Sequence, residues 1–233
     1  MRDLLRTVQG RLAALGYYHL IVDGVPGPGT SNAVVRFKTA HGLRARDKIG
    51  PLTLRLLMSP DAKPAPRPVK VKGEPPWLVH ARTLLGTREA PGAADNDVIM
   101  AWAQGLDQWY PGDDVPWCGL FVAECMAAGA PDEPQDFNRL GARQWLNYGA
   151  ECDLSLGAVC VLWRGRRDGW KGHVFLVTGQ SVDAVRGVGG NQSDAVTETW
   201  FSKERVLGYR KPDGAVLNPA PMAQRGVLST NEA

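Results

Sequence analysis

The stretch Asp-Asp-Val-Pro-Trp-Cys-Gly-Leu-Phe-Val, residues 113–122, puts Cys118 directly after Pro116-Trp117 and at the head of an apolar run. The run predicts a helix, so the thiol falls in a first helical turn. There the positive end of the helix dipole favours a thiolate. A thiolate that attacks a carbonyl needs a proton carrier for the leaving group, and histidine is the usual one. Of the four histidines, His19 and His41 fall in an N-terminal helical segment and His80 falls within a helix. His173 begins the β-like run Gly-His-Val-Phe-Leu-Val, sharing one strand face with Phe175 and Val177. A third polar group should fix the imidazole tautomer. Asn191, in Gly189-Gly190-Asn191-Gln192, lies where an antiparallel neighbour returns beside His173, and its side-chain oxygen can accept from the ring. Gln192 is the competing candidate. Spacing alone weighs a Cys118–His173 dyad evenly against a core thiol and a surface imidazole.

These residues need elements to hold them. Helical spacing predicts helices at 77–86, after a cap at Asp95 or Asn96, from Cys118, and over 140–148. Past residue 155 the pattern changes to valine-rich runs at 157–163, 172–177 and 184–189, with a last strand at 206–210. Helices followed by a strand meander imply an α+β domain with helices packed on an antiparallel sheet. Upstream, Leu4, Val8, Leu12 and Leu15 recur at helical spacing, and two further helices are expected at 30–41 and after Gly50-Pro51. The segment 59–76 holds six prolines and predicts a semi-rigid linker. The domains expected are therefore a three-helix domain (1–58), the linker (59–76), an α+β domain (77–211) and a loosely ordered tail (212–233).

Bulk composition narrows the function classes. The chain has 233 residues and a formal net charge of +3. Residues 1–57 carry nine Lys/Arg against three Asp/Glu, and residues 77–211 carry thirteen against seventeen. That asymmetry suggests that the first domain meets a polyanion, or simply presents a solvated basic face. No apolar stretch reaches the roughly 18 residues of a membrane span, and the N-terminus is amphipathic rather than an apolar signal core. Synthesis in a cytoplasm without a signal peptide is expected, with no membrane insertion. Cys118, Cys125, Cys152 and Cys160 lack zinc-site spacing, so free thiols and no metal are expected. Asp95 and Asp97 are too few for a calcium loop.

Two resemblances sharpen the expectations. Val8-Gln9, Leu12, Leu15-Gly16-Tyr17-Tyr18, Val22-Asp23-Gly24, Gly27-Pro28-Gly29-Thr30, Ala33-Val34, Phe37, His41-Gly42-Leu43 and Ile49-Gly50-Pro51-Leu52-Thr53 resemble the three-helix peptidoglycan-binding domain of wall hydrolases. It departs at Lys38, where that family usually has Gln. The resemblance implies wall contact through this motif, with Tyr17, Asp23 and Thr30 as candidate wall-binding residues. Pro116-Trp117-Cys118-Gly119, Ala142-Arg143, Trp145-Leu146, Gly157-Ala158-Val159, Trp163-Arg164-Gly165, Gly172-His173-Val174 and Gly190-Asn191-Gln192 resemble the NlpC/P60 and CHAP cysteine peptidases over about 77–212. That implies a papain-like fold, with Cys118 as nucleophile, His173 as base and Asn191 best matching the third position. Phe175 replaces the family's frequent Gly. Trp117 either walls the cleft or fills the core. Glu89 resembles a position near the cleft, and Asp113 and Asp114 either receive a substrate amine or are solvated loop charges; Trp117, Glu89, Asp114 and Gln192 are thus candidate substrate contacts. Together the resemblances imply an endolysin-like peptidoglycan hydrolase that cleaves a stem-peptide or muramoyl–alanine amide. It would need no cofactor, would act on the wall after release as a monomer, and would bind no nucleic acid. The alternatives are a non-enzymatic wall-binding or phage structural protein and a secreted amidase toxin.

Overall fold

The computed structural model describes residues 2–18, 21–44, 46–65, 73–92, 94–136, 138–229 and 231. His19 and linker residues 66–72 lie outside them. The chain forms two compact units, essentially residues 1–68 and 69–233, with 132–134 grouped with the first.

The first unit holds α1 (Arg2–Ala14), α2 (Pro28–Ala40) and α3 (Pro51–Met58). Proline opens α2 and α3, where a missing N–H costs nothing. Val8, Leu12, Tyr17, Val34, Phe37 and Leu57 form the core. Buried Gln9 organises the loop ahead of α2. Its Nε2 donates to Asp23 Oδ1 (3.1 Å), the Val25 carbonyl (3.1 Å) and Thr30 Oγ1 (3.0 Å), while its Oε1 accepts from Gly24 N (2.7 Å). Lys38 donates to the carbonyls of Arg46 (2.7 Å) and Lys48 (3.3 Å), so the departure from Gln supports a loop and leaves the helices intact.

The proline-rich segment leaves this unit later than residue 59. Ala62 joins the core, Tyr17 Oη donates to the carbonyls of Lys63 and Pro64, and Ala65 N donates to the Leu15 carbonyl. Residues 59–65 are therefore packed, a correction to the expected linker.

The second unit is α+β. α4 (Pro76–Thr83), α5 (Asp97–Gly105) and α6 (Cys118–Gly129) precede a six-stranded antiparallel sheet. Its order is β1 (Ala150–Glu151), β6 (Val206–Lys211), β2 (Val159–Trp163), β3 (Gly172–Gln180), β4 (Ala184–Gly189), β5 (Thr197–Ser202). Asn96 caps α5, accepting from Val98 N (2.8 Å) and Ile99 N (3.3 Å). The helix expected over 140–148 is a 3-10 helix, Ala142–Asn147. β5, with the mixed sequence Thr-Glu-Thr-Trp-Phe-Ser, lies outside the expected strands.

β2 and β3 are buried on both faces. The inner face, Val159, Val161, Val174, Leu176 and Val188, packs under α4, α5 and α6. The outer face, Cys160, Leu162, Phe175, Val177, Val185 and Phe201, is covered by Ala220 and Leu217 of the C-terminal segment. That segment is a strap and not a loose tail. Met222 and Leu228 bridge in parallel to Gln180 and Trp200, and Ala223 N and Ser229 N donate to the carbonyls of the same two residues. The reason is packing, since an apolar outer face has to be shielded from water. Residues 230, 232 and 233 lie outside the description.

Candidate active site

Cys118 is the first residue of α6 and is 3 % exposed. Gly119 is needed behind it, because a Cβ there would sit 2.3 Å from the Arg139 carbonyl oxygen. The sulfur lies against β3. Burial raises the Cys118 pKa above the ordinary thiol range, opposed by the N–H groups of Val174 and Gly119 and by the Arg164 charge. The direction is opposite to the lowering expected at a helix start, because burial disfavours the charged thiolate. Val174 follows His173, so the thiol meets the main chain one residue along β3 from the histidine, whose ring packs with Phe175 and Phe201.

The His173 ring is fixed from three sides. It stacks on Phe175 (centroids 5.9 Å apart) and lies tilted on Phe201 (5.4 Å). Its Nε2 meets Gln192 Oε1 at 3.1 Å. Gln192 Nε2 donates to the Thr197 carbonyl (2.6 Å) and contacts Thr197 Oγ1 (3.0 Å). A carbonyl only accepts, so the amide is oriented with Oε1 toward the ring. Nε2 of His173 thus carries hydrogen, and in the neutral ring Nδ1 is the basic nitrogen. Phe175 fits because Gly187 and Gly189 face it; a Cβ at Gly187 would lie 2.0 Å from its ring. The bulk at 175 underpins the imidazole from the outer cluster.

The ring's partner is therefore Gln192 and not Asn191. Asn191 is buried, and its Oδ1 has no hydrogen bond among the described residues. Asn191, Ser193 and Asp194 all have positive φ (54°, 55° and 56°). This uncommon backbone breaks strand alternation, so the side chain that reaches His173 is shifted by one residue. The loop is held tightly. A Cβ at Gly190 would lie 2.5 Å from the Trp117 ring and 2.6 Å from Phe121 Cβ. Gln192 N donates to the Ala195 carbonyl, and Glu89 N donates to that of Asp194.

Trp117 is fully buried and tilts against Trp102, so it is core and not cleft wall. Its Nε1 donates to Glu89 Oε1 (2.7 Å). Burial raises the Glu89 pKa, opposed by the Trp117 hydrogen bond and reinforced by Asp194, Asp113 and Asp114. Glu89 thus orients the residue ahead of the nucleophile. Asp113 is buried and accepts from Ala90 N (2.9 Å) and Asn96 N (2.8 Å), a clamp on two loops. Asp114 is exposed. Gln192 is buried behind His173 and positions it. All four cysteines are free; burial raises Cys125 and Cys160, and pushes Cys152 up to about 11. No cluster of His, Cys, Asp and Glu suited to a metal occurs among the described residues.

In the first unit, Tyr17 and Thr30 are buried. Asp23 accepts from Val25 N (2.8 Å), and that bond, followed by the Gln9 amide, lowers its pKa. Asp23 and Thr30 brace the loop through Gln9, whereas Tyr17 holds the segment after α3 through the Lys63 and Pro64 carbonyls. Residues 2–57 match the family model described as a putative peptidoglycan binding domain. The small unit is a peptidoglycan-binding domain. The match suggests an association with the cell wall. No curated protein and no solved structure matches the chain.

Proposed function

We propose that the chain is a peptidoglycan hydrolase whose second unit is a papain-like cysteine peptidase of the NlpC/P60–CHAP type. What supports this reading is that Cys118 meets the main chain of Val174, the residue after His173, and that Gln192 Oε1 meets His173 Nε2. Cys118 rests as a thiol. As Sγ bonds to the amide carbon of the substrate, His173 Nδ1 takes its proton. The Cys118 main-chain N–H would serve as one donor to the oxyanion. Collapse breaks the C–N bond, and the imidazolium protonates the departing amine. Water, deprotonated by His173, then attacks the thioester; the S–C bond breaks, releasing a carboxylate product and the thiol. Gln192 replaces Asn191 as the group that orients the ring. The expected substrate is a stem-peptide or muramoyl–alanine amide, in the manner of an endolysin acting after release.

Cys118→Ala is expected to retain binding to purified sacculi and to lose clearing of a wall suspension. Clearing at the wild-type rate by that variant would remove the cysteine-peptidase reading. Binding without clearing by both proteins would favour a non-enzymatic wall-binding role.

A further inference from the structure

The small unit contains a groove of about 630 Å³ between the start of α1 and the loop before α2. Arg2, Leu4, Leu5, Val25, Pro26 and Ile49 line it. Its size is that of a small-ligand site. Leu4 is 54 % and Val25 47 % exposed, so the aliphatic lining is open to solvent. The walls are built rather than incidental. Gly24 has φ +73°, and a Cβ there would lie 2.6 Å from the Arg2 carbonyl oxygen, so the loop closes directly onto α1. Arg2 Nε (3.3 Å) and Arg6 Nη2 (3.2 Å) both donate to the Asp23 carbonyl, and Gln9 ties the loop from beneath.

We propose that this groove is the wall-binding site and that it takes the stem peptide rather than the glycan. The tyrosines and the phenylalanine of this unit, Tyr17, Tyr18 and Phe37, are all buried, so none of these three rings is available to stack on a sugar. Aliphatic walls beside an arginine instead match a short peptide that carries alanine methyls and free carboxylates. Arginine's planar fork suits a carboxylate, and the unit's excess of basic residues favours an anionic ligand. This rests on the peptidoglycan-binding identity of the small unit and is independent of the chemistry at Cys118.

The test uses the full chain carrying Cys118→Ala, so that nothing is cleaved, with co-sedimentation on purified sacculi. Leu4→Glu and Arg2→Gln are expected to weaken binding at least tenfold, while Leu52→Glu, on an exposed position outside the groove, leaves it unchanged. Free stem peptide is expected to compete with sacculi, and peptide-free glycan strands are not. The competition needs no variant, so a misfolded substitution does not blunt it. Wild-type-like binding by both groove variants, or competition by glycan alone, would overturn the groove assignment. Failure of the parent chain to bind sacculi would overturn the binding reading itself, and the groove with it.

Discussion

Replacing Gln192 by Ala separates the two candidates for the third catalytic position. The side chain holds the imidazole through one 3.1 Å contact and is itself held by Thr197 at 2.6 and 3.0 Å. A buried hydrogen bond to a group that becomes charged during reaction is worth about 1.5–3 kcal/mol. If that energy orients His173 for proton transfer, kcat/KM falls roughly 10- to 150-fold. Asn191 makes no such contact, but its φ of 54° disfavours alanine. Asn191→Gly keeps the backbone free and should cost less than about threefold, because no transition-state interaction is lost. The assay is kcat/KM on a soluble muropeptide, with each variant's folded fraction fixed by circular dichroism. A Gln192→Ala rate within twofold of wild type, or a larger loss from Asn191→Gly, would refute the assignment.

Three further outcomes follow from the same contacts. Because burial holds the Cys118 pKa above its ordinary value, alkylation by iodoacetamide should keep rising as the pH passes through and above the usual thiol range; a plateau at neutral pH would contradict this. The linked stability is fully present below the unfolded-state thiol pKa and is lost as pH rises through the raised folded value. Gly190→Ala should destabilise the fold by about 1–3 kcal/mol, since the new methyl meets Trp117 and Phe121; an unchanged urea midpoint would count against the loop packing. Deleting residues 213–233 should uncover Cys160, Phe175, Val177 and Phe201, lower the urea midpoint and raise dye binding to exposed apolar surface; a loose tail would leave both unchanged.

Much of this was legible in the residues. The valine-rich runs located β2, β3 and β4, and the apolar run after Trp117 located α6, because burial on nearly every side leaves an uninterrupted apolar signature. The same runs hold the signal that the tail is ordered, since strands apolar on both faces require a cover on each. β5 was missed because only Trp200 and Phe201 of its six residues are buried. Asn191 fits the expected return of a neighbouring strand beside His173 and the third position of the family motif, but the loop turns through positive φ there and Gln192 reaches the ring instead. Tyr17, Asp23 and Thr30 belong to a recognisable motif, but motif membership does not distinguish a side chain that braces a loop from one that touches a ligand. Buried Gln9, whose amide Asp23 and Thr30 hold, identifies those two as braces of the loop.

The central claim is that Cys118 performs amide hydrolysis on peptidoglycan. Mass spectrometry of purified peptidoglycan digested by wild type and by Cys118→Ala tests it most directly. New fragments from wild type alone, each bearing one added water at a single amide type, are predicted, and their masses identify the bond. Identical digests from the two proteins, or no fragments from either while both bind the wall, would contradict it.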